Sequence, residues 1–490
     1  MSDKKIFKNY IYNLIYQIIV IILPIVTTPY LSRVLGAENI GVYGYTTSVV
    51  AYFTLIGALG INKYGQREIA YVQNDISKRS KVFWELNIVK TSSILIAAVI
   101  FYLAFCINGE YAVFYRILLI EIVAASLDIS WFFQGMENFK KVVIRNLLIK
   151  IISVVLIFVL VKNANDLIKY FFILVFSNLF GNIVLWLDIK KYIKKEEIRV
   201  REIRRHFKPM ISLFIPQIAT SIYTILDKTM IGLLSDNIVE VGYYEQSQKI
   251  IKLALTLVTT MGIVLLPRIS NAFAQGEDKK MAKYMTKSFK FDYFLAFPIT
   301  FGMMAIASNL VPWFFGSGYE KIVYLLFIGS PVIIFIALST TIGTQYLVSI
   351  KKQNVQTLAV VTGAMINCTL NLILIPLYAS IGAVIATVIA EFFIAVIEIV
   401  YVIKKKIISA RDIFGGISKY LIASIIMFLV VYLVARSLSI GIVYTIIEIL
   451  IGVITYIVIL LIMKDEFLID IKGVLIKSKL ERRQKPWKHI

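Results

Sequence analysis

The sequence predicts an all-α polytopic membrane protein of about 14 transmembrane helices, in two six-helix lobes around a central cavity plus two C-terminal helices. Three observations carry that expectation. Hydrophobic residues fill 59% of the 490 positions and mean hydropathy is +0.80, more than a soluble core can bury. The apolar residues gather in blocks of roughly 20, the length a helix needs to cross hydrocarbon, without the alternation of a membrane barrel. Most of the 52 Lys and Arg fall in every second connection, the asymmetry that marks cytoplasmic loops.

The first block, 11–32, follows Lys4, Lys5 and Lys8. It lacks a small-residue cleavage site and similar blocks follow, so it reads as a retained helix and not a signal peptide. Blocks at 42–62, 84–107, 114–134, 143–162 and 167–189 complete an N-terminal lobe over residues 1–209. Its linker, KKYIKKEEIRVREIRRHFKP, has the charge density of a solvated, partly helical connection. A second lobe, 210–405, contains blocks at 210–234, 242–267, 290–314, 322–348, 354–375 and 380–403. Residues 406–490 hold helices at 419–436 and 442–463 and a basic tail. An even number of spans puts both termini in the cytoplasm, in a bacterial cytoplasmic membrane. LGAENIGVYGY after the first helix and LLSDNIVEVGYYEQ after the seventh form a short internal repeat that aligns Gly41 with Gly242.

The formal charge of +22 is explained by the cytoplasmic loops and needs no nucleic acid; anionic membrane lipids are adequate partners. Cys106 and Cys368 both lie in apolar blocks, which leaves no disulfide framework or thiolate metal site. His206 and His489 have no acidic or thiol neighbours of catalytic spacing, and no GxxxxGK[ST] motif is present. No cofactor, metal or covalent chemistry is expected, and the short outer connections leave no room for an extracellular catalytic domain.

Polar residues at membrane depth are costly and so mark cavities or helix contacts. Gln217, Thr220, Ser221, Thr224 and Lys228 step along one face of the seventh helix beside Asp227. The stripe reads as a water-facing wall; hydroxyls bonding helix to helix is the competing reading. Asn13, Gln17, Thr27 and Thr28, with Pro24 and Pro29, form a weaker counterpart on the first helix. On the eighth, Glu245, Lys249 and Lys252 share a face, with Glu four residues before Lys. The surplus cation suits an anionic headgroup, as do Arg33 and Arg116 at outer helix ends, unless these snorkel to lipid phosphate. Glu121 with Asp128, and Glu391 with Glu398, each lie seven residues apart on one face and are candidates for ion coupling, with neutralisation by Lys the alternative. Glu448 is a similar carboxylate outside the repeated lobes.

The segments PYLSRVLGAENIGVYGY, ALGINKYGQREIA and LDKTMIGLLSDNIVEVGYYEQSQKI resemble the Wzx-type polysaccharide flippases of the multidrug, oligosaccharidyl-lipid and polysaccharide exporter superfamily. The resemblance implies a non-enzymatic, V-shaped pair of lobes that moves an undecaprenyl-pyrophosphate-linked oligosaccharide outward by alternating access, with glycosyltransferases and a polymerase of the same pathway as partners. It carries Arg33, Gly36, Gly41, Arg67, Asp227, Lys228, Gly242, Glu245 and Lys249 onto the family's motifs, the glycines as turn formers. A multidrug or cation antiporter of the same fold would show fewer cavity cations, and a membrane polysaccharide polymerase would require a sizeable surface loop. Lys249→Ala combined with Lys252→Ala is expected to reduce surface glycan while leaving the protein inserted; normal surface glycan in cells dependent on that variant would remove both lysines from the headgroup site.

Overall fold

The computed structural model describes the backbone of residues 3–406 and 408–469, and the side chains of that range other than 3–18, 20, 21, 200, 201, 212, 213, 215–217, 219–223 and 260–264. The described chain is almost entirely helical, as lipid demands: without water to satisfy them, backbone groups must bond within their own helix. Ten helical stretches among the described residues are long and apolar enough to cross a membrane. Each of the fourteen apolar blocks falls largely in helix, but the boundaries differ in ways that matter.

Two compact units divide the chain, Met1–Gln246 with Leu370–Ser380, and Ser247–Thr369 with Ile381–Ile490. In the first, α1 (Asp3–Ala58) covers the first two apolar blocks as two helices that follow one another across a kink. Pro24 and Pro29 lie inside it, but the helical backbone breaks at Gly36 (φ 78°, ψ 168°), a conformation that a Cβ would strain. A turn at Leu59 and Gly60 leads into the short amphipathic α2 (Ile61–Val72), which hydropathy alone does not register. Next comes α3 (Ile76–Phe101), capped by the Asp75 side chain, which accepts from Lys78 N and is held below the usual carboxylate range by that bond. A wide helical turn, Tyr102–Cys106, ends it, and Arg116 donates to the exposed carbonyls of Cys106 (2.8 Å) and Ile107 (3.3 Å).

The predicted fourth helix is two elements, α4 (Ala112–Ser126) and α5 (Ser130–Gly135). Asp128 Oδ1 accepts from Ser130 N at 2.9 Å and so terminates one and starts the other. The unit continues through α6 (Phe139–Leu160), α7 (Leu167–Ile189), α8 (Val200–Leu234) and the start of α9 (Val239–Ala274). Its core gathers Phe83, Trp131, Phe132, Phe133 and Met210.

The basic linker is less free than its charge suggests. Arg79 donates from Nε to Tyr192 O at 3.0 Å, Trp84 Nε1 to Lys194 O at 3.1 Å, and Lys194 N to Ser80 Oγ at 2.8 Å. Further on, Lys81 pairs with Glu202 at 2.7 Å, which holds that carboxyl low. His206 contacts buried Glu85 Oε2 and the Tyr64 hydroxyl, each at 2.7 Å, and Arg205 reaches the same carboxylate at 2.6 Å. The linker's backbone is thus bonded by side chains of α3, and its Arg205 and His206 meet the buried acid of the same helix.

At the start of α9 two glycines set a backbone crossing. A Cβ on Gly41 would lie 2.1 Å from Ile238 O, and one on Gly242 would lie 2.1 Å from Ala37 O. The repeat that pairs these glycines therefore marks a reciprocal helix contact inside helices, not two turns, because only hydrogen at Cα permits this approach.

The second unit continues α9 and adds α10 (Asp278–Phe315), α11 (Lys321–Gly329) and α12 (Val332–Ser339), which runs into a wide helical segment, Thr340–Leu347. That segment is secured by Thr341 Oγ1, which donates to buried Asp292 at 2.6 Å, and by Ser288 Oγ, which donates to Gln345 Oε1 at 2.9 Å. Then follow α13 (Gln353–Tyr378), α14 (Ser380–Lys404), α15 (Ala410–Phe414), α16 (Ile417–Ala435) and α17 (Ile442–Ile462). Glu448 of α17 accepts from Asn309 of α10, and Trp313 Nε1 donates to Thr445 at 2.7 Å, so this carboxylate anchors α17.

Gly41→Ala is expected to lower stability by about 1–3 kcal/mol through overpacking, read as an earlier thermal transition of the purified protein, and Gly242→Ala to do the same.

Candidate functional site

The first unit brings charged and polar residues together on α8, α9 and α13. Asp227 and Lys228 sit near the end of α8, and a short connection returns the chain so that Tyr244 and Glu245 of α9 face them. Lys228 Nζ lies 3.0 Å from Glu245 Oε2, with side-chain exposures of 21% and 16%. The pair thus sits at a partly wet boundary where attraction exceeds that of a surface bridge. Asp227 is buried and accepts from the Tyr244 hydroxyl on one oxygen and from Asn371 Nδ2, at 2.7 Å, on the other. Hydrogen-bond donors of this kind lower the cost of burying a carboxylate.

The hairpin is held to α1. Gln246 Nε2 donates to Ser32 Oγ at 2.8 Å, Ser48 and Thr229 hydroxyls meet at 2.8 Å, and Gly44 leaves space for the stem of Glu245. Glu240 accepts from the Ser380 hydroxyl and from its N–H at 3.2 Å. Asp227, Lys228 and Glu245, which the sequence places in different helices, become neighbours because α8 and α9 are antiparallel.

The other candidates separate from this cluster. Arg33 is exposed three residues before the Gly36 break, and Thr224 is exposed one turn before Asp227. Gln217, Thr220 and Ser221 lie outside the described side chains, as do Asn13 and Gln17. Arg67 is on α2, bonded to Glu68 at 2.9 Å and 5.2 Å from the Tyr64 ring centroid. Arg116 closes the end of α3.

Asp128 joins a buried network: Lys90 Nζ donates to its carbonyl at 2.5 Å, while Arg145 donates to Ser130 Oγ at 2.8 Å and to Asn182 Oδ1 at 2.6 Å. Its oxygen is 3.9 Å from Arg145. Glu121 instead lines a cavity of about 350 Å³ within the first unit. In the second unit Lys249 is half-buried and Lys252 exposed on α9, and Glu391 and Glu398 are buried on α14. The Glu398 carboxylate occupies the space that Gly343 leaves, 2.4 Å from where its Cβ would be.

Asn371 escaped the sequence reading, and with it the role of Tyr244 as a donor to Asp227. The available signal was the four-residue spacing of Asn367 and Asn371, two amides on one face of an apolar helix.

A family described as polysaccharide biosynthesis protein matches residues 6–273, more than half the chain and the whole of the α8–α9 hairpin. The chain belongs to that family. Among relatives of this polysaccharide biosynthesis protein, one from Escherichia coli strain K12, named as an O-antigen transporter, is 24% identical over 82% of the chain and 97% of its own length. Another, from Haloferax volcanii, named as the flippase Agl15 of low-salt glycan biosynthesis, is 22% identical over 73% of the chain and 75% of its own. The solved inward closed structure of the lipid II flippase MurJ has the same fold, with TM-score 0.75 and 18% identity over 93% of this chain and 99% of that one. These findings bear out the exporter-superfamily resemblance and the polytopic all-α membrane fold.

Glu245→Gln leaves Lys228 without this carboxylate and is expected to cost on the order of 2 kcal/mol. Exchanging the charges, Lys228→Glu with Glu245→Lys, is expected to recover most of that loss in thermal unfolding, whereas either reversal alone does not.

Proposed function

We propose that this member of the polysaccharide biosynthesis family is a flippase that moves an undecaprenyl-pyrophosphate-linked oligosaccharide repeat unit across the bacterial cytoplasmic membrane by alternating access, for capsule, exopolysaccharide or O-antigen synthesis. The observation that carries the reading is the family match together with a relative named for O-antigen transport, aligned over 97% of that relative's length. The cluster chemistry supports it. Lys228 is tied to Glu245 yet keeps one fifth of its side-chain surface open, so an incoming phosphate can compete for the ammonium through charge-assisted bonds.

In this reading Arg33, Arg67, Arg116, Gln217, Thr224, Lys249 and Lys252 contribute to headgroup capture, and Glu391 and Glu398 couple transport to an ion. The functional lobes are residues 1–209 and 210–405, with 406–490 appended and both termini cytoplasmic. An apolar cavity of about 440 Å³ between α10, α16 and α17, lined by Phe294, Ile299, Met427 and Ile457, suits a polyprenyl chain. The chain performs no covalent chemistry; glycosyltransferases make the cargo and a polymerase consumes it.

The test is reconstitution of the full chain in vesicles carrying a fluorescent undecaprenyl-pyrophosphate disaccharide in both leaflets. A membrane-impermeant oxidant is expected to reach nearly all of the label with the protein present and about half without it. Equal protection in the two preparations overturns the reading.

A further inference from the structure

In the second unit the wide helical segment Thr340–Leu347 meets α10 through four side chains that touch one another. Thr341 Oγ1 lies 2.6 Å from Asp292 Oδ2 and 3.1 Å from Ser288 Oγ. Gln345 closes the ring, with Oε1 2.9 Å from Ser288 Oγ and Nε2 2.9 Å from Thr341 Oγ1. None of the four residues is more than 2% exposed. Helical turns of this wide type are uncommon and recur at functional sites.

Each of these four contacts needs a hydrogen between its two atoms, and the hydrogens can be counted. With Asp292 ionised there are three: one on each hydroxyl and one on the amide nitrogen of Gln345. Thr341 then gives its hydrogen to the carboxylate and Ser288 gives its own to Gln345, which leaves the Ser288 and Thr341 oxygens facing each other at 3.1 Å with nothing between them. Turning the Gln345 amide over moves the gap to another contact and does not remove it, because the nitrogen still reaches only one hydroxyl. A proton on Asp292 fills every contact. The acid donates to Thr341, Thr341 to Ser288, Ser288 to Gln345, and Gln345 back to Thr341.

The surroundings offer no other neutralisation. Lys290 of α10 pairs with Glu466 at 2.9 Å, Lys283 and Lys287 are exposed, and the Tyr293 hydroxyl donates to Ile413 O at 2.7 Å. On α14, Glu391 and Glu398 are buried acids, and Glu398 fills the space left by Gly343 of the same wide segment. Thr341 Oγ1 has one hydrogen and two lone pairs, all used by its three contacts, so none is left for a metal ion. An ionised Asp292 would rest on a single donor among the described residues, a cost that a buried carboxyl avoids by keeping its proton and donating it.

We propose that Asp292 is a proton-binding site: it carries a proton in the folded protein and donates it to Thr341, which clamps the wide segment to α10. Loss of the proton opens one contact of the ring and loosens the segment. The site is separate from the Lys228–Glu245 cluster and acts without cargo.

The test is infrared difference spectroscopy of the full chain in nanodiscs at neutral pH. A protonated carboxyl has a C=O stretch at higher frequency than carboxylate bands, and Asp292→Asn is expected to remove one such band from the wild-type spectrum. Thr341→Val, which takes away the acceptor, is expected to shift that band and keep it, and it reads the site even where Asp292→Asn does not fold. The second measurement is deuterium uptake by residues 340–347. Raising the pH is expected to speed it in the wild type, relative to Asp292→Asn at the same pH, only over the range in which the carboxyl band disappears, and by several-fold. Three outcomes overturn the proposal: no carboxyl band removed by Asp292→Asn, a band that Thr341→Val leaves unmoved, or loss of the band with uptake unchanged. Neither measurement involves glycan movement, so failure of the flippase reading and failure of this site are distinguishable.

Discussion

A backbone in hydrocarbon has no solvent to bond to, and at three departures from regular helix in the first unit a side chain takes water's place. Where α4 stops, Asp128 accepts the first free N–H of α5. Where α3 opens into a wide turn, Arg116 reaches back to its carbonyls. Where the chain leaves α7 and turns extended, Arg79 and Trp84 bind the carbonyls of Tyr192 and Lys194. Of the three arginines that catch the eye as ligand-binding candidates, Arg33, Arg67 and Arg116, the last is explained by this constraint. An arginine with five donors in a fixed fork is well suited to orphan carbonyls.

The same constraint decides what was legible in the sequence. Hydropathy marks apolar blocks, so the helical class and nearly every block could be read, because each follows from length and composition alone. What it cannot mark is continuity. The first two blocks are two helices that meet end to end at the non-helical Gly36, with no polar loop to mark the junction, and α2 is missed because its twelve residues are amphipathic. The charge of the linker 190–209 predicts a solvated segment, yet its partners, Ser80, Trp84 and Glu85, are far away in sequence and carry no periodic signal.

The candidate site was legible in part for a similar reason. Asp227, Lys228 and Glu245 stand out because charge at membrane depth is rare. Their pairing does not, since the helical four-residue rule points from Glu245 to Lys249 while the antiparallel hairpin brings Lys228 to it. Asn371 contributes from a segment that joins the first unit only through the fold. Asp128 and Glu121 look equivalent in sequence, yet one is enclosed by Lys90, Arg145 and Ser130 and the other faces open volume.

The glycine crossing of α1 and α9 restricts how those helices can move past one another. Each Cα hydrogen sits against the other helix's carbonyl, at Ile238 and Ala37, with no clearance for a methyl group. Translating either helix by one residue replaces glycine with a neighbour that carries a Cβ, so the contact resists sliding. Rotation about the crossing point moves no side chain into that gap. The two helices are therefore joined as by a pivot pin that resists slip, and a rearrangement of the hairpin that carries Lys228 and Glu245 while keeping this contact is angular.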